Sequence, residues 1–220
     1  MEKYFNVIEW AYNISVAVTI IPLMATIFKW KFFNFPLKIV GIYCLRSLIQ
    51  SSMGLYLYYT DQSNRLLFYV SPSLDIILIS LLTVSIFDFK NYLKLSLTLL
   101  CAIFIGLIVN DYLTTTTLIS SYLSTAETVF VILVSVLMLR KIALQYKSST
   151  YKRSLIWIIS ALLISNLFSI LITTLNQKIM GYSNDLLHFL WYLSSPFFIV
   201  ITNLMVAYGF YIIRNKVREA

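Results

Sequence analysis

Charge is scarce in this chain. Only 12% of its 220 residues are Asp, Glu, Lys or Arg, while 60% are hydrophobic. Soluble domains run nearer a quarter charged, so a soluble globular reading is excluded. Histidine occurs once, at His188, which rules out bis-histidine haem ligation within one chain and leaves a histidine-based zinc site unsupported. The two cysteines, Cys44 and Cys101, fall inside apolar runs and read as small buried residues rather than a disulfide or metal pair. Five scattered glycines form no phosphate-cradling loop. No lysine lies inside the last apolar run, so a retinal Schiff base has no anchor. The paired motifs of a Ser-Lys or Asp-dyad intramembrane protease are also missing. Together these absences predict that the chain is not an enzyme and holds no cofactor.

What the sequence does have is long apolar runs. Seven stretches of low charge lie at about 6–28, 37–58, 66–87, 95–109, 118–139, 154–175 and 186–213. Crossing about 30 Å of hydrocarbon as a helix takes roughly 17–25 residues, and the fourth run, at 95–109, is the shortest. The runs are continuously apolar rather than alternating every ten residues, which argues for helices against a β-barrel. The expected fold is all-α: a polytopic membrane protein, a seven-transmembrane-helix bundle forming one domain over residues 1–220.

Lys and Arg set the orientation. Thirteen of the seventeen fall on one side of this arrangement: Lys29, Lys31, Lys38, Lys90, Lys94, Arg140, Lys141, Lys147, Lys152, Arg153, Arg214, Lys216 and Arg218. Three, Lys3, Arg65 and Lys178, fall on the other, and Arg46 lies within the second run. Positive loops face the cytoplasm, so the N-terminus is expected outside and the C-terminus inside, in a bacterial inner membrane crossed many times. The alternation works only if the short fourth run is a real crossing. A formal net charge of +8 is accordingly read as a topology signal with attraction to anionic lipid, and nucleic acid is not expected as a partner. The cluster Arg140, Lys141, Lys147, Lys152 and Arg153 is also a candidate docking surface for a separate acidic signalling partner.

No loop is long enough to hold an output or ligand-binding domain. The leader Met1-Glu2-Lys3 has no positive surplus and the run after it is too long for a signal peptide. No tandem or inverted repeat stands out.

The remaining candidates are polar residues at membrane depth, each costing about 2.5–3.5 kcal/mol on insertion scales when ionisable. Arg46 lies near the middle of the second run, on a face with Tyr43, Gln50 and Gly54. Asp75 lies at similar depth in the third, below Ser71 and beside Pro72, and Glu127 in the fifth, with Ser120, Ser124 and Ser135 near its face. Asn166, Ser169 and Thr173 share a face of the sixth run, and Pro196 and Asn203 one of the seventh. Arg46 with Asp75 cancels charge; Glu127 is then left over, and an unpaired carboxyl in hydrocarbon takes up a proton rather than staying ionised. Arg46, Gln50, Asp75, Glu127, Asn166 and Asn203 are thus candidates for a ligand or ion pocket, for a small molecule or lipid. The alternatives are a packing network of interhelical hydrogen bonds and a proton relay. Aromatics at run ends read as interfacial anchors, and Pro22, Pro72 and Pro196 as kinks.

The segments "SLIWIISALLISNLFSILI" (from Ser154) and "LLHFLWYLSSPFFIVITNLMVAYGFYIIRNK" (from Leu186), with "LLFYVSPSLDIILIS" around Asp75, resemble a group of small, functionally unassigned seven-helix membrane proteins of Bacteroidetes, often encoded beside sensor kinases. The second run departs from that group, with Arg46 in "YCLRSLIQSSMGLYLYY" where an acidic or neutral polar residue is expected. The resemblance covers most of the chain in hydropathy and aromatic pattern. It implies the seven-helix topology and an association with sensing. The expected function is a receptor-like sensory module without its own output domain, signalling through a separate partner. The alternative is a small transporter or channel subunit with a polar midplane site.

Overall fold

In a computed structural model, residues 2–60, 65–87, 118–145, 150–180 and 185–213 are described. They are helical almost throughout, with no strand among them. The α-helices are α1 (Glu2–Val18), α2 (Ile20–Lys29), α3 (Phe35–Tyr59), α4 (Arg65–Phe87), α5 (Leu118–Gln145), α6 (Thr150–Met180) and α7 (Asp185–Ile212), with a 3-10 turn at Trp30–Phe32. The predicted fourth span, with Cys101, Lys90 and Lys94, lies outside the described residues.

Four stretches are long and apolar enough to cross a bilayer: Asn6–Phe32, Val70–Phe87, Thr150–Ile172 and Leu186–Ile212. Their surfaces agree with that reading. Phe28, Leu167 and Phe197 stand well exposed, and apolar exposure on this scale along whole helices belongs against lipid rather than water. The chain is a helical membrane protein. α3 has the length, at 25 residues, but carries Arg46, Gln50, Ser47, Ser51 and Ser52, and so is less apolar than the four.

The first apolar run is not one helix, as its composition suggests, but two. Pro22 has no N–H to donate, and its ring crowds the carbonyl of Val18, four residues back. α1 accordingly ends at Val18. There the Thr19 N–H donates three residues back to Val16 O at 3.1 Å, and its hydroxyl donates to the same oxygen at 2.6 Å. Pro72 and Pro196 lie inside α4 and α7 without ending them.

The chain divides into two compact units, Met1–Phe32 with Lys147–Ala220, and Phe33–Tyr146. In the first, α7 is central and packs on α6, α1 and α2. α6 and α7 run antiparallel, which three levels of contact fix. At one end Trp157 meets Tyr208 edge-on at 5.0 Å; midway Phe168 stacks on Phe198 at 3.6 Å; at the far end His188 Nε2 lies 3.1 Å from Ile179 O. Gly209 permits the close approach: a Cβ there would meet Ile158 Cγ1 at 2.7 Å and the Ser154 carbonyl oxygen at 3.1 Å.

Lys29 closes this unit. The last carbonyls of any helix lack intrahelical donors. Lys29 Nζ, from the end of α2, donates to Tyr211 O and Ile213 O at 2.8 Å and to Phe210 O at 3.3 Å. A cation at a helix C-terminus also offsets the negative end of its dipole. This contact places the end of α2 at the end of α7, so the first and last helical rods run in the same direction.

In the second unit α4 is central, packing on α3 and α5. α5 turns the stripe Thr128, Val131, Ser135, Met138 and Ile142 inward at spacings of three and four. Thr83 Oγ1 reaches Met138 Sδ at 3.9 Å, and four residues further along α4 the Phe87 ring lies 5.5 Å from Lys141 Nζ. Both indices rise together. α4 and α5 are therefore parallel, unlike the α3–α4 hairpin.

Candidate functional site

The second unit brings three of the predicted pocket residues together. On α4, Ser71 and Asp75 lie four residues apart, hence on one face and about one turn (5.4 Å) apart along the axis. Arg46, from α3, spans that step. Its Nη1 lies 2.8 Å from Asp75 Oδ1, and its Nη2 donates to Ser71 Oγ. The guanidinium also lies 5.9 Å from the Tyr43 ring centroid, one turn back on α3, within cation–π range. Both charged side chains are withdrawn from the surface, with relative exposures of 12% for Arg46 and 9% for Asp75.

Although Nη1 is close, no N–H points along the line to Asp75 Oδ1, which accepts no hydrogen bond among the described residues. Charge holds the contact, at ion-pair distance. Glu127, on α5, lies close enough to interact electrostatically with both Asp75 and Arg46. Two carboxyl groups therefore share the field of one guanidinium. Gln50, one turn beyond Arg46 on α3, is half-buried.

The other two candidates belong to the first unit and turn onto their own helices. Asn166 Nδ2 donates to Leu162 O at 2.8 Å, and Asn203 Nδ2 to Ile199 O at 2.8 Å. In both cases the amide satisfies a carbonyl four residues back, as Ser and Thr side chains do in membrane helices. Thr202 likewise donates to Phe198 O at 2.9 Å.

Among the basic candidates, Arg140 and Arg153 are exposed, Lys141 lies over Phe87 and Lys152 is half-buried. Lys147 lies outside the described residues, and the side chains of Ser120, Ser124 and Thr173 are not described. Two features escaped sequence reasoning: the capping role of Lys29, and the fully buried hydroxyl of Ser154, which like that of Ser135 has no hydrogen-bond partner among the described residues. Ser135 sits on the α5 stripe that packs on α4, where a small residue suits close helix contact. Among the described residues no group of three metal-ligating side chains occurs.

No family model, curated protein or solved structure matches this chain. The functional reading therefore rests on the cluster itself.

Proposed function

We propose that the chain is a receptor-like membrane module that recognises a small ligand at the Arg46–Asp75–Glu127 cluster and signals through a separate protein at its basic face. One observation carries this: inside the helices, a largely buried Arg46–Asp75 ion pair at 2.8 Å lies within the electrostatic reach of a second carboxyl group, Glu127. Ionisable groups at membrane depth are costly and serve function by default. The excess of carboxyl over guanidinium suits a ligand that brings a positive charge or N–H donors. Pro72, beside Ser71 in α4, removes one backbone hydrogen bond at the site, so α4 is the element best suited to respond.

The module is read as seven crossings with the N-terminus outside, in a bacterial inner membrane. The direction of the helices supports this count. α4 and α5 are parallel, which fits one further crossing between Phe87 and Leu118. An even count would have made them antiparallel. In the first unit, the parallel first and last rods fit an odd total in the same way. The expected positive side is also self-consistent within each unit. Lys29, Lys31, Lys152 and Arg153 share one end of the first, and Lys38, Arg140 and Lys141 one end of the second.

The excess carboxyl group also favours a second reading, a small cation transporter or channel subunit. Proteoliposomes decide between the two. A proton or alkali-cation flux that Asp75→Asn or Glu127→Gln abolishes contradicts the receptor reading. No flux, together with a protein that co-purifies and leaves on charge reversal of Arg140, Lys141, Lys147 and Lys152, supports it.

A further inference from the structure

The basic end of the α6–α7 pair carries a second arrangement that the ligand cluster does not use. Arg153 is exposed on the first turn of α6, with no ion pair or hydrogen bond among the described residues. Trp157 follows four residues later on the same face, about 6 Å deeper along the axis. Across the groove Tyr208 packs edge-on against Trp157, with rings at 5.0 Å and 83°. Tyr211 stands three residues beyond Tyr208, towards the end of α7 where the first turn of α6 lies. All three aromatics are open to the surroundings, with relative exposures of 40%, 48% and 74%.

Lys29 prepares the electrostatics. Its three ammonium donors are spent on the terminal carbonyls of α7, so it offsets the negative helix end that would otherwise repel an anion. The same Nζ lies 5.3 Å from the Tyr211 ring centroid and so holds that ring at the groove mouth. Arg153 then supplies a guanidinium with its planar fork unengaged, the geometry that matches a phosphate. Below it, the surface continues onto exposed Leu204 of α7, one turn from Tyr208.

We propose that this groove is a binding site for the headgroup of an anionic phospholipid. Arg153 engages the phosphate, the Tyr211 hydroxyl and Trp157 indole N–H line the headgroup level, and the acyl chains lie along the apolar continuation. The placement separates a lipid from other phosphate or acidic ligands. The site opens sideways along two helices apolar enough to span a membrane, with the Trp–Tyr belt typical of the bilayer interface. A free phosphate or an acidic peptide would arrive from the aqueous end and have no use for the apolar continuation. The site needs only the membrane reading and is independent of the receptor proposal.

Trp157 is a built-in reporter. A variant with Trp10→Phe, Trp30→Phe and Trp191→Phe retains it as the sole tryptophan, for reconstitution with brominated phosphatidylglycerol or equally brominated phosphatidylcholine. The expected result is quenching at least twofold stronger by the anionic lipid at equal mole fraction. That preference falls to near parity in Arg153→Gln and is largely kept in Arg153→Lys, which shows that charge rather than misfolding is responsible. Equal quenching by the two lipids in the parent variant overturns the proposal. So does a preference that Arg153→Gln leaves intact, or one that glycerol phosphate or an oligoglutamate peptide in the buffer abolishes, since these identify a free phosphate or a protein as the natural occupant.

Discussion

Removing Asp75 tests the buried pair most sharply, because the structure says what replaces it. In Asp75→Asn the guanidinium of Arg46 keeps Ser71 as acceptor but loses its counter-charge. Breaking a buried ion pair from one side costs about 3–5 kcal/mol, since the other charge is stranded. Here Glu127 lies within the field of Arg46 and can take over part of that role. Asp75→Asn alone should therefore cost less, about 2 kcal/mol, and Asp75→Asn with Glu127→Gln the full amount, about 4 kcal/mol. Replacing both members, Arg46→Leu with Asp75→Leu, strands nothing and should cost about 1 kcal/mol or less. The assay is equilibrium unfolding of micellar protein in increasing dodecyl sulfate, followed by tryptophan fluorescence, with the single changes Glu127→Gln, Arg46→Leu and Asp75→Leu added to complete the double-mutant cycles. If Asp75→Asn lies within about 0.5 kcal/mol of wild type, or the Leu pair costs as much as the sum of its single changes, the pair is not the buried, mutually dependent unit described.

Three further outcomes follow from particular contacts. Gly209→Ala drives a Cβ into fully buried Ile158 and a backbone oxygen; overpacking of about 1–3 kcal/mol should exceed the propensity gain of roughly 1 kcal/mol. Gly54→Ala, with nothing within 4 Å, should instead stabilise, and the same unfolding assay reads both. Lys29→Met removes the ammonium from the Tyr211 and Ile213 carbonyls at the end of α7 and should cost about 1–2 kcal/mol, seen also as faster hydrogen exchange over the last turn of that helix. On a background lacking Cys44 and Cys101, Lys90→Cys and Thr115→Cys should react with a membrane-impermeant maleimide from opposite faces. Labelling from the same face contradicts the proposed seven-crossing count.

Helix positions were readable because apolar runs and their charged flanks are local properties. The structure extends α5 past the predicted end to Gln145 and α6 from Thr150 to Met180, since helices continue beyond the hydrocarbon while the hydropathy signal stops there. The break after Val18 needed more than the sight of Pro22, because Pro72 and Pro196 interrupt neither of their helices. Arg46 and Asp75 were matched by equal depth and opposite charge, and they meet. Asn166 and Asn203 were matched by depth alone. A short amide has a carbonyl of its own helix four residues back, and that local bond wins over a shared cavity. Lys29 was counted only as a topology charge. Its partners lie 181 to 184 residues away, a separation that no local pattern encodes. The parallel run of α4 and α5 is likewise a property of packing, yet it bears on the same count of crossings that the lysines and arginines suggest.

Native mass spectrometry of the protein, released gently from its own membrane beside Asp75→Asn, Arg46→Ala and Gly54→Ala, tests the ligand cluster most directly. The account predicts a bound small molecule in the wild type and in Gly54→Ala that is lost from both charge variants. A bare chain in the wild type, or a molecule that stays bound in both charge variants, would contradict it and leave Arg46 and Asp75 as a packing device alone.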